Sequence, residues 1–137
     1  MAKITIHHDE FLLCRCVHGP SGAEWLTDVS KESMGGGSSF DPSDLTGVSL
    51  GACILTTIAL SASTRGMDIT GAKAEVELEM VEDPRRRIGR VKMTIAMPQA
   101  FPARARRLFE VAARSCPVHN TLHPRTRIDI DFNYPEE

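Results

Sequence analysis

Four cysteines give this 137-residue chain its widest chemical reach, because a thiolate can attack a peroxide or disulfide and can ligate a soft metal. Cys116 stands in RSCPVHNTL. Pro117 pushes the residue before it out of the α region, so a helix arriving there must break, and Pro117 can open a new short helix over VHNTL with Cys116 as its N-cap. A sulfur at that position faces unpaired N–H groups and the positive end of a helix dipole, which favour the thiolate. An isolated cysteine, however, more often fills a core. Cys53 sits in SLGACILTT, within the most apolar stretch. Burial alone raises a thiol's pKa, so a reactive Cys53 needs a cation or hydrogen-bond donor brought from elsewhere in the fold.

Cys14, Cys16 and His18 recur at i, i+2 and i+4, which on a strand share one face and are a suitable ligand set for zinc. Three such positions span about 13 Å and cannot converge on one ion without a bend. Buried or edge-strand cysteines are the favoured reading, and no metal or cofactor is expected. Among the histidines only His119, three residues after Cys116, is placed to tune a thiol.

The elements that must position these groups are legible from patterning. Asp41, Pro42 and Asp44 form an N-cap, first-turn proline and capping-box acid, predicting a helix to about Arg65 that stops at Gly66, roughly 35 Å long. Residues 45–64 carry no charge and could span a bilayer by length, but the many Gly, Ser and Thr residues and the flanking strand patterns point instead to a helix buried on all sides of a soluble protein. Gly47 and Gly51, one turn apart, would let another backbone approach closely. Two or three strands precede the helix, separated from it by SKESMGGGSS, whose glycines suggest mobility or a close approach. After the helix, Ala74, Val76, Leu78 and Met80 alternate with charged residues, as do Val91, Met93 and Ile95, predicting a hairpin through EDPRRRIG with acidic residues facing basic ones. A second helix buries Ala105, Leu108, Phe109 and Ala112, and its stripe extends to Cys116. RIDIDFN is the last strand.

A net charge of -2, 42 % hydrophobic and 25 % charged residues argue against disorder and against a nucleic-acid partner. One domain, residues 1–137, suffices. The N-terminal MAKITIHHDE lacks an apolar signal region, so a reducing, cytoplasmic setting is expected for the cysteines.

FDPSDLTGVSLGAC followed by RSCPVHNTL, with Cys116 63 positions after Cys53, resembles the two signature segments of the OsmC/Ohr family, and the order of elements resembles it along nearly the whole chain. The resemblance implies an α+β OsmC-like fold, an antiparallel sheet with a long central helix, assembled as an intertwined homodimer whose helices pack together. It implies a thiol-dependent reductase of organic hydroperoxides, with Cys53 peroxidatic, Cys116 resolving and an external dithiol as reductant. Ser43 stands where the organic-hydroperoxide branch carries a glutamate, with Asp44 one residue later. The family's activating arginine comes from the N-terminal strands, where Arg15 is the only arginine. A non-catalytic or redox-sensing member is the alternative.

Overall fold

In the computed structural model, which describes residues 2–136, the chain divides into two compact units, residues 1–46 and 47–137. The N-terminal unit holds a three-stranded antiparallel sheet, β1 (Ile4–Glu10), β2 (Leu13–His18) and β3 (Glu24–Thr27), with β2 in the centre. The register pairs Ile6 with Cys16 and Cys16 with Trp25, and directly paired residues share a face. Ile4, Ile6 and Trp25 remain 60 %, 59 % and 46 % exposed, which leaves that face largely uncovered within a single chain.

The three glycines are explained by a close approach to their own chain. Asp28, 5 % exposed, accepts hydrogen bonds from the Ser38 hydroxyl (2.7 Å), the Ser38 N–H (3.1 Å) and the Gly36 N–H (3.4 Å). A Cβ at Gly36 would lie 2.8 Å from Asp28 Oδ2, and one at Gly35 would run into the Val29 carbonyl. The loop wraps so tightly around the carboxylate that side chains have no room there.

Helix α1 (Pro42–Ser63) starts as its sequence dictates. Asp41 Oδ1 accepts from the Ser43 N–H (3.0 Å), and Asp44 Oδ2 accepts from the Asp41 N–H (2.9 Å), a reciprocal cap that satisfies otherwise unpaired donors. It ends in a left-handed Gly66 (φ 71°), with the Met67 N–H closing on the Ala62 carbonyl at 2.9 Å, a Schellman arrangement. The helix is long and apolar enough to cross a membrane by composition, but it is not buried all round. Leu50, Ile54, Ile58 and Ala62, four residues apart, are fully buried, while Leu60 is 68 % exposed. Gly47 and Gly51 face β-strands rather than another helix: a Cβ would meet Val76 at 3.2 Å and 3.4 Å respectively.

The larger unit's sheet is mixed, which corrects the expected antiparallel arrangement. Strands β4 (Lys73–Val81) and β5 (Arg87–Ala96) form the predicted hairpin, setting Glu77 against Lys92 and Glu79 against Arg90. Strand β6 (Arg127–Asn133) pairs with β5 in parallel, because the chain crosses over through α2 (Ala103–Arg114) and α3 (Pro117–Thr121) between them. That crossover brings Asp129 to Arg90 Nε at 2.7 Å. Ala105, Phe109, Ala112 and Ala113 bury α2 against a core with Val91, Met93 and Ile95, whereas Leu108, expected in the same stripe, is only half-buried and outside that core.

Candidate thiol site

Cys53 lies in the third turn of α1, half-buried between fully buried Leu50 and Ile54. Thr57, one turn later, donates its hydroxyl to the Cys53 carbonyl at 2.8 Å. Cys116 arrives from the other side of the core. Helix α2 stops at Arg114 because Pro117 cannot continue it, and Cys116 takes extended angles (φ -70°, ψ 143°) as the N-cap of α3 with Pro117 in the first turn. Its sulfur accepts the His119 N–H at 3.2 Å and is fully buried.

The first turn of α3 serves both sulfurs. The backbone N–H of Val118 is the main reason the Cys53 thiol is held below its ordinary pKa. Burial opposes the effect, and the Cys116 thiol and Thr57 hydroxyl reinforce it. Cys116 goes the opposite way. Burial pushes its pKa up, outweighing the His119 N–H, and the neighbouring Cys53 adds to the rise. Of the two readings the sequence leaves open for Cys116, cap-activated thiol or core filler, burial prevails: desolvation wins at Cys116, and the helix end lowers Cys53 instead. The arrangement sets a partly accessible sulfur, held below its ordinary pKa, against a buried sulfur pushed above it.

Of the residues singled out in the sequence, Cys53, Cys116 and the backbone of His119 come together. The other two belong to the N-terminal unit, where each has partners of its own. Arg15 bonds to Asp9 (3.1 Å) and Glu24 (3.3 Å), and these acids raise its pKa. Asp44 caps α1. Cys14 and Cys16 are half-buried on the central strand, not an edge. His18 Nδ1 lies 2.6 Å from Ser21 Oγ, and among the described residues no three His, Cys, Asp or Glu side chains gather as a metal site.

Sequence reasoning missed Val118 and Thr57. A backbone donor 65 residues away carries no side-chain signal, whereas Thr57, at i+4 on the same helix, was recoverable from spacing.

Comparison with known proteins agrees with this architecture. A candidate osmotic stress induced and detoxification response protein from Psychrobacter arcticus 273-4 superposes with a TM-score of 0.92 at 31 % identity, over 97 % of this chain and 96 % of that one. An organic hydroperoxide resistance protein OsmC from Legionella pneumophila (TM-score 0.79, 14 % identity, 97 % and 96 % covered) shares the fold. So does the organic hydroperoxide resistance protein OhrB of Bacillus subtilis (TM-score 0.74, 15 % identity, 97 % and 98 % covered). No curated protein sequence matches the chain. The OsmC family model, described as OsmC-like protein, matches residues 35–131, a span that takes in the glycine loop, α1 and both sulfurs, and the chain belongs to the OsmC-like protein family.

Proposed function

We propose that this protein is a thiol-dependent hydroperoxide reductase in which Cys53 attacks and Cys116 resolves. The observation that carries the reading is the convergence of two free sulfurs on the first turn of α3, Cys116 as its N-cap accepting the His119 N–H at 3.2 Å and Cys53 packed against the same core, with the Cys53 pKa lowered and the Cys116 pKa raised there. The Cys53 thiolate would attack the terminal peroxide oxygen and break the O–O bond. The alkoxide would leave with a proton as the alcohol, and Cys53 would become a sulfenic acid. The Cys116 sulfur would then attack Cys53, its proton leaving with the hydroxyl as water, to form a disulfide. An external dithiol would reduce that disulfide, restoring both thiols. Relatives named for organic hydroperoxide resistance support organic hydroperoxides as the substrate class, and four free cysteines suit a reducing, cytoplasmic compartment.

A homodimer is part of this proposal, supported by the uncovered Ile4, Ile6 and Trp25 in the N-terminal unit and by Leu60 on α1. A redox-sensing role without strong turnover is the second reading. It is favoured by the commitment of Arg15 to Asp9 and Glu24 and of Asp44 to the helix cap.

Mass spectrometry after one equivalent of an organic hydroperoxide tests the pair. Wild type should form a Cys53 to Cys116 disulfide, Cys116→Ser should retain a sulfenic acid on Cys53, and Cys53→Ser should consume no peroxide. Identical behaviour of the two variants, with no disulfide in wild type, rejects the peroxidase. Disulfide formation without sustained dithiol-dependent turnover selects the sensor.

A further inference from the structure

Beyond the C-terminal end of α1, within the larger unit, a cavity of about 480 Å³ opens along the outer face of α2, a volume inside the range of roughly 300–1,000 Å³ of small-ligand clefts. Met67, Leu108 and Val111 supply apolar wall, with Val111 64 % exposed. Three arginines, Arg65, Arg104 and Arg107, line the same cavity. It does not belong to the thiol site: Cys53 lies ten residues before Ser63, about 15 Å of helical rise, and the cavity begins past Ser63.

Among the described residues the arginines lack acidic partners. Arg65 Nη1 bonds only neutral oxygens, the Ser61 carbonyl and the hydroxyls of Ser61 and Thr64. None of the three forms an ion pair with any described residue. Glu110, the one carboxylate of α2, lines a different cavity with Arg106 and Arg114. Three arginines without a carboxylate partner among the described residues thus border an apolar volume, on a chain whose net charge is -2.

We propose that this cavity binds a single-chain fatty carboxylate, its alkyl chain against Met67, Leu108 and Val111 and its head group on the arginines. The planar guanidinium fork matches a carboxylate's two oxygens, and the apolar wall takes the chain out of water. A cationic amphiphile gains the same apolar contact but meets like charge. The site stands independently of the thiol chemistry.

The test is a methyl-detected NMR titration of the full-length protein with dodecanoate, below its micelle concentration, against dodecyltrimethylammonium, which has the same chain and the opposite head charge. Dodecanoate should move the Met67, Leu108 and Val111 methyl signals saturably, and dodecyltrimethylammonium should not. The double variant Arg104→Gln, Arg107→Gln should weaken dodecanoate binding about tenfold or more, the scale of one charge-assisted contact, with the fold and the Cys53 alkylation rate unchanged. Equal binding of the two amphiphiles overturns the proposal. So do shifts confined to Leu50 and Ile54 beside Cys53, or cavity signals that respond to protein concentration and not to dodecanoate, which would mean that a second copy of the chain covers this face.

Discussion

The backbone N–H of Val118 lowers the pKa of Cys53, 65 residues earlier in the chain, while the next N–H, that of His119, donates to the sulfur of Cys116 at 3.2 Å. Two successive amides of a five-residue helix therefore act on the two sulfurs of the site. Pro117 is what makes them available: it ends α2, starts α3, and leaves first-turn amides with no intrahelical acceptor.

Removing the first of these donors should raise the Cys53 pKa. Alkylation of Cys53 by iodoacetamide rises with pH as the thiolate forms, and with the pKa depressed the inflection lies below that of an ordinary thiol. Val118→Pro deletes the N–H and should move the inflection up, slowing alkylation at neutral pH severalfold. Val118→Ala, which keeps the N–H, should leave the inflection in place. An unchanged pH profile in Val118→Pro, with the fold intact by circular dichroism, would show that Val118 does not activate the sulfur.

Gly51 should tolerate alanine and reject bulk. An alanine Cβ would sit 3.4 Å from Val76, an ordinary contact, and removing a mid-helix glycine contributes up to about 1 kcal/mol. Gly51→Leu must push into Val76 and Met93 and should cost about 1–3 kcal/mol in urea unfolding. Because these neighbours are strands of the same chain, the loss should appear in stability measured at fixed oligomeric state.

Asp28 provides a pH-dependent lock on the glycine loop. The Ser38 hydroxyl and N–H hold its carboxyl below the usual carboxylate pKa. Its stabilising contribution is therefore complete above the ordinary carboxylate pKa and is lost as pH falls through the depressed value. Asp28→Asn should melt several degrees lower at neutral pH, and the gap from wild type should narrow on acidification. A constant gap at all pH values would mean the ionised form is not what holds Ser38.

Association should depend on the uncovered face of the N-terminal sheet. Sedimentation at micromolar concentration should give a dimer, and Ile4→Lys with Ile6→Lys should shift it toward monomer. A monomeric wild type would remove the homodimer from the proposal.

Local signals determined much of this protein. Asp41, Pro42 and Asp44 specify the start of α1, and Gly66 its end, because capping and the left-handed angle are decided by a few adjacent residues. The alternation in β4 and β5 predicts the hairpin and its charge pairing for the same reason, and Pro117 dictates that Cys116 caps a helix. Tertiary structure decided what those signals leave open. The parallel pairing of β6 depends on a crossover through two helices, and the glycine face of α1 meets a sheet rather than a helix. The division of labour between the thiols was also decided there. A cysteine's pKa depends on which N–H groups and how much solvent surround its sulfur, so the α3 backbone that acts on Cys53 and the core that closes over Cys116 decided between the readings that the cap motif leaves open.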